Sequence, residues 1–170
     1  LCCGPQNRGF AALGDRLYLA TLDAHLVALD AKTGRVIWDT EAADASKGYS
    51  FTVAPLVVKD KVMVGVAGGE YGVRGFVDAY DAESGKQAWR FYTIPGAGEP
   101  GAETWGGDSG SHGGGSMWTT LTLDQKKRLI YVSVGNPAPD FDGELTPGDN
   151  LYTDSVIALN ADTGKLDWYA

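Results

Sequence analysis

The sequence predicts an all-β fold built from four-stranded antiparallel units, the blades of a β-propeller. Three observations carry this. The first is a repeated stretch: ALDAKTGRVIW at 28–38, AYDAESGKQAW at 79–89 and ALNADTGKLDW at 158–168. A repeat at a period of tens of residues marks stacked supersecondary units. The second is period-2 alternation of apolar residues, with no long stretch of helical periodicity. The third is the abundance of glycine, 24 of 170 residues, which fits many tight turns.

Unit one carries candidate strands near 9–13, 16–22, 25–30 and 35–39. Unit two carries them near 51–58, 61–67, 74–81 and 87–92. Unit three carries them near 117–123, 128–134, 153–160 and 165–169. The blades therefore run approximately over 1–39, 51–92 and 117–169. Within each unit, the link from strand three to four is an Ala-x-[Thr/Ser]-Gly turn. Its glycine (Gly34, Gly85, Gly164) suits a hairpin position with positive φ, and a Trp (Trp38, Trp89, Trp168) follows each turn. The longer, Gly- and Pro-rich links at 40–50, 68–73, 93–116 and 135–152 fall together at the opposite end of the units. Variable loops on one face of a rigid scaffold are where function is usually built. A sandwich of three hairpin-rich units is the competing all-β reading, and the regular turns favour blades.

The totals limit the function. A net charge of −8 disfavours nucleic acid as a partner. No apolar run approaches the roughly 18 residues of a membrane helix. Propellers close with about four to eight blades. Three blades, and a chain that starts at Leu1 rather than Met, are expected of a segment of something longer.

Several residues point to chemistry. Cys2 and Cys3 are adjacent, and neighbouring Cα atoms lie about 3.8 Å apart. Ordinary disulfides prefer about 4.4–6.8 Å, so a bond here would be strained. Spacing alone leaves open two unlinked thiols or partners elsewhere. Glu70 and Asn136 each follow the second strand of their unit, at equivalent repeat positions on the long-loop face. A carboxylate and an amide oxygen are hard donors suited to Ca²⁺ or a related ion. Cys2, Cys3, Arg8, Thr52 and Trp118 precede or begin first strands, which places them at the same end. Other patterns fail. DFDGE at 140–144 has glycine at the wrong position for an EF-hand loop. Asp108, Ser111 and His112 share one Gly-rich loop rather than separate elements, unlike a catalytic triad. His25 alternates with strand residues and reads as a surface or edge position. Asp149-Asn150 reads as a brace for its long loop.

Four stretches together resemble a family: CCGPQNRGFA, then SFTVAPLVVKDKVMVGVAGGEYGVRGFVDAYDAESG, then HGGGSMWTTLTLD, then YVSVGNPAPDFDGELTPGDNLYTDSVIALNADTGKLDW. They are similar to the pyrroloquinoline quinone (PQQ)-dependent alcohol dehydrogenases of the methanol/ethanol type, over essentially the whole chain. The resemblance implies about three blades of an eight-bladed propeller, with tryptophans docking blade to blade. It implies that Cys2-Cys3 form a vicinal disulfide on one face of the quinone and that Trp118 covers the other. It implies that Arg8 hydrogen-bonds the quinone oxygens and that Thr52 contacts a cofactor carboxylate. Ala67, Gly68 and Gly69 would let backbone approach the cofactor, with Ala67 standing where a small hydroxyl residue is expected. Glu70 and Asn136 would bind the metal, Ca²⁺ or a lanthanide.

The implied reaction is oxidation of a primary alcohol to an aldehyde. The general-base Asp is expected on the blade after these three, so this segment is expected neither to hold PQQ tightly nor to turn over alone. A cytochrome c-type electron acceptor and a periplasmic location follow from the same resemblance, and a strained disulfide needs an oxidising compartment. The alternative function is a non-catalytic propeller scaffold for protein–protein interaction. Such a scaffold needs the repeats but not Arg8, Glu70, Trp118, Asn136 and the Cys pair together.

Overall fold

A computed structural model describes residues 6–170. The first blade comprises β1 (Phe10–Leu13), β2 (Arg16–Ala20), β3 (His25–Asp30) and β4 (Val36–Glu41). The second comprises β5 (Leu56–Val58), β6 (Lys61–Gly65), β7 (Phe76–Asp81) and β8 (Gln87–Tyr92). The third comprises β9 (Thr122–Asp124), β10 (Leu129–Ser133), β11 (Val156–Asn160) and β12 (Leu166–Tyr169). Each sheet has four strands in sequence order, all antiparallel, as three up-and-down meanders. Among the described residues there is no α-helix, and no helix is long and apolar enough to cross a membrane.

The repeated turn is built the same way in every blade. Asp30 Oδ1 accepts from the backbone N–H and hydroxyl of Thr33. Asp81 does the same with Ser84, and Asn160 with Thr163. Such bonds let Asp and Asn hold a turn without help from the ladder. They also hold the Asp30 and Asp81 carboxyls below their ordinary range. Each turn is followed by the same irregularity, a register shift between Ala28 and Leu29, Ala79 and Tyr80, and Ala158 and Leu159. The extra residue twists the fourth strand and sets each Trp opposite an Ala.

That geometry docks one blade on the next. Trp38 Nε1 donates to the Ala82 carbonyl oxygen at 3.2 Å, and Trp89 Nε1 to that of Ala161 at 3.3 Å. The turn glycine of the following blade lies under the indole. A Cβ on Gly85 would stand 2.7 Å from Trp38, and one on Gly164 would stand 2.5 Å from Trp89. These glycines, at φ 71° and 69°, are fixed both by backbone conformation and by close approach. The Ala82 carbonyl also accepts from Tyr18 Oη and Arg16 Nη1. One apolar core runs through the three blades, from Tyr18 and Leu26 through Phe51, Met63 and Tyr80 to Met117, Ile130 and Leu159.

β7 and β11 start two and three residues later than the alternation predicts, at Phe76 and Val156, and two further strands start five residues later. β5 begins at Leu56 rather than near 51, and β9 at Thr122 rather than near 117. The residues before them include bends at Val53 and Thr119 and bond elsewhere. Ser50 pairs with Ala67, and the Met117 N–H donates to the Val66 carbonyl of the preceding blade at 2.7 Å. Pro55 has no N–H for a ladder, which helps delay β5. These approach segments lie across the long-loop end of the blades and carry Thr52 and Trp118.

The two longest links pack on each other. Trp105, nearly buried, donates from Nε1 to the Leu151 carbonyl at 2.6 Å. The Asn150 N–H reaches the Thr104 carbonyl, and Tyr152 Oη that of Pro100. Asn150 is thus the brace its position suggested. Asp108 and Ser111 belong to a 3-10 turn at Ser109–His112 and its cap, where the sequence reads only as loop.

Candidate functional site at the long-loop end

The site is assembled around residues 116–118. On one side lies the link after β6. Gly68 has φ 112°, and a Cβ there would stand 2.1 Å from the Gly48 carbonyl oxygen. A Cβ on Gly69 would meet Ser116 Oγ at 2.7 Å. The tight backbone carries the 3-10 turn Gly69–Tyr71, which presents Glu70 at the surface between two left-handed glycines, Gly68 and Gly72. On the other side lies the link after β10. The Gly135 N–H donates to the Ser116 carbonyl at 2.9 Å, and a Cβ on Gly135 would lie 3.7 Å from Trp118 Nε1. Asn136 follows, exposed. Its Nδ2 donates to the Pro137 carbonyl at 2.8 Å and to Asp140 Oδ1 at 2.7 Å. The oxygen Oδ1 is therefore the amide atom left to ligate a cation.

Arg8 closes the third side. Its backbone N–H and Nη1 both donate to the Thr52 carbonyl, at 3.2 and 3.1 Å. Nη2 donates to Gln6 Oε1 at 2.9 Å. The guanidinium carbon lies 5.6 Å from the Trp118 ring centroid, within cation–π range. Trp118 is 49% exposed, a large aromatic face open to a partner. Thr52 is 6% exposed, and its Oγ1 has no hydrogen-bond partner among the described residues. An unpaired buried hydroxyl costs about 1–3 kcal/mol, so Thr52 Oγ1 is a group that gains from a further polar partner.

Arg8, Thr52, Trp118, Glu70 and Asn136 thus lie at one end, joined by direct contacts or through residues 116–118. Ala67, Gly68 and Gly69 form the adjoining backbone. Ala67 is buried and contributes no hydroxyl. Cys2 and Cys3 lie outside the described residues. No group of three or more His, Cys, Asp or Glu able to hold a metal occurs among the described residues, so Glu70 and Asn136 form at most a partial ligand set.

Sequence reasoning missed two features. One is Ser50, 4% exposed, whose Oγ is also unpaired. Its position two residues before Thr52, with the apolar Phe51 between them, could have shown it. The other is a buried charge in blade two. Asp78 is fully buried on β7, and Arg90 grips it through Nε and Nη2 at 2.7 and 2.6 Å. Burial pushes the Asp78 carboxyl up against the opposing pull of Arg90, and it pushes the Tyr80 phenol up too, so Tyr80 donates to Asp78. Arg90 also donates to the Ala42 carbonyl in the link leaving blade one. Asp78 sits mid-strand among buried residues in FVDAYD, and Arg90 follows directly after the docking Trp89. The pairing was not legible because it needs the β7–β8 register.

Comparison with known proteins identifies the family to which these blades belong. Residues 40–170 match the family model described as PQQ, glucose/ethanol/alcohol dehydrogenase, beta-propeller domain. The chain belongs to this family. It is 49% identical over 183 aligned residues to quinohemoprotein alcohol dehydrogenase ADH IIB of Pseudomonas putida, covering 99% of this chain and 26% of that protein. It is 39% identical to the lanthanide-dependent methanol dehydrogenase of Methylacidiphilum fumariolicum (strain SolV), covering 98% of this chain and 30% of that protein. The structure of a europium-containing methanol dehydrogenase superposes with a TM-score of 0.94 at 38% identity, over 99% of this chain and 32% of the other. The chain spans about a quarter to a third of the length of these relatives.

Proposed function

We propose that this chain forms much of the cofactor cradle of a quinoprotein alcohol dehydrogenase, which oxidises primary alcohols to aldehydes with PQQ and a bound metal ion. The observation that carries the reading is the junction of Arg8, Thr52 and Trp118. A guanidinium, an orphaned buried hydroxyl and an open indole face meet at one point. That combination fits a flat quinone bearing carboxylates. The indole offers a stacking surface, and Arg8 and Thr52 offer donors to its oxygens. Gly68 and Gly69 let backbone approach where a Cβ would not fit. A non-catalytic scaffold has no use for an unpaired buried hydroxyl beside an exposed tryptophan.

PQQ, when bound, supplies the two-electron acceptor chemistry. Glu70 and the Asn136 amide oxygen would help hold the metal, Ca²⁺ or a lanthanide, as hard oxygen donors. Among the described residues this reading assigns these two ligands to the chain, and it places the general-base Asp on a further blade. Cys2 and Cys3, which lie outside the described residues, complete the set of cofactor-contacting residues in this reading. A cytochrome c-type protein accepts the electrons in this reading, and the periplasm is the compartment.

The test uses the full-length parent protein. Dye-linked oxidation of a primary alcohol should require both PQQ and Ca²⁺ or a lanthanide. Glu70→Ala should lower the metal-dependent rate at least a hundredfold. Metal-dependent activity unchanged in that variant would refute the ligand role, and absence of any PQQ-dependent oxidation in the parent would refute the function.

A further inference from the structure

Two buried hydroxyls lack partners on the segment entering blade two, and the cradle described above uses only one. Ser50 and Thr52 are 4% and 6% exposed, and neither Oγ nor Oγ1 bonds anything among the described residues. Between and after them, Phe51 and Val53 are fully buried in the apolar core. Ser50 makes an isolated bridge and Phe51 is directed into that core, so period-2 alternation over 50–52 turns the Ser50 and Thr52 side chains away from it. Ser50 is also bridged to Ala67. Its N–H donates to the Ala67 carbonyl at 3.3 Å, and the Ala67 N–H donates back at 2.8 Å. Residues exchanging both bonds across an antiparallel pair project their side chains to one face. Ser50 Oγ thus stands beside the Ala67 methyl, next to the constrained backbone of Gly68 and Gly69.

We propose that Ser50 is an additional cofactor-contacting residue, whose hydroxyl donates to a carboxylate of the bound quinone in place of the hydroxyl that Ala67 lacks. The proposal rests on the PQQ reading given above. Arg8, Thr52 and Ser50 then form a row of donors suited to carboxylate, and the two orphaned hydroxyls gain acceptors when the ligand arrives. Selectivity for a carboxylated quinone follows, because an uncharged quinone would leave both hydroxyls unpaired.

The experiment is equilibrium titration of the metal-loaded, PQQ-free full-length protein with PQQ, followed by absorbance and tryptophan fluorescence. Ser50→Ala should weaken PQQ binding about tenfold or more, as expected for a lost hydrogen bond to a charged group. Adding Ala67→Ser to that variant should restore most of the affinity, since it returns a hydroxyl to the same face. The thermal stability of the PQQ-free Ser50→Ala protein should not fall, because the hydroxyl has no partner there. Wild-type protein that fails to bind PQQ would overturn the parent reading. Wild-type protein that binds PQQ, with Ser50→Ala equal to it, would overturn this inference alone. A PQQ-free Ser50→Ala protein that melts earlier would assign Ser50 a structural role instead.

Discussion

The two ends of the blades treat their polar groups in opposite ways. At the tight-hairpin end, the turn carboxylates and Asn160 are bonded within their own turns. Each docking Trp that meets a following blade has its N–H on a carbonyl. At the long-loop end, two buried hydroxyls go unpaired, Trp118 stands half exposed, and Glu70 is held out on a glycine-flanked turn. The first end is finished by the chain itself. At the second, buried hydroxyls lack matching groups among the described residues and an indole face stands half exposed. Both ends spend glycine, for different reasons. Gly85 and Gly164 make room for an indole, whereas Gly68 makes room for backbone beside the cradle.

This contrast can be broken by three substitutions in the full-length protein. The largest effect is expected from Trp89→Ala at the hairpin end. It removes the indole packed over Gly164 and the bond to Ala161, and it should cost about 3 kcal/mol, in line with large aromatic truncations. Chemical denaturation would read that loss, with the PQQ dissociation constant near wild type. A large loss of affinity with unchanged stability would invert the comparison. Trp118→Ala at the other end is expected to do the reverse. Its half-exposed indole contributes little packing, so stability should change by about 0.5 kcal/mol or less. PQQ binding should weaken by tenfold or more, as lost aromatic stacking implies. Equal effects on both quantities would show that the indole belongs to the scaffold.

The smallest effect concerns His25 on β3. Its Nδ1 lies 2.7 Å from Asp39 Oδ1, and that hydrogen bond raises the imidazole above its ordinary value. A folded-state pKa raised in this way stabilises the protein below the unfolded pKa near 6.5. The contribution fades as pH rises through the higher folded value. The pair is largely solvated, so its worth stays below about 1 kcal/mol. An NMR titration of His25 should show its midpoint fall in Asp39→Asn. An unmoved midpoint would rule out the pair.

Part of the site was legible because it rides on the repeat. Glu70 and Asn136 follow second strands in two different units, so counting strands put them at the same end. Arg8, Thr52 and Trp118 were placed by the same count and are joined in space. The count failed by several residues at β5 and β9, because alternation cannot tell an extended segment paired within its blade from one bonded to a neighbouring link. The Asp78–Arg90 pair escaped because its partners lie on adjacent strands whose register contains a bulge.

The sequence by itself determined the blades, the direction of each strand and the end at which chemistry gathers. Those follow from local rules: period-2 burial, turns that need positive φ, and side chains that hold their own turns. Only the tertiary structure decided which hydroxyls are orphaned, which glycines are irreplaceable and how Arg8 meets Trp118. Such properties depend on what lies opposite a residue across a link or a blade junction. Burial without a partner is a relation between distant parts of the chain, and no local pattern encodes it.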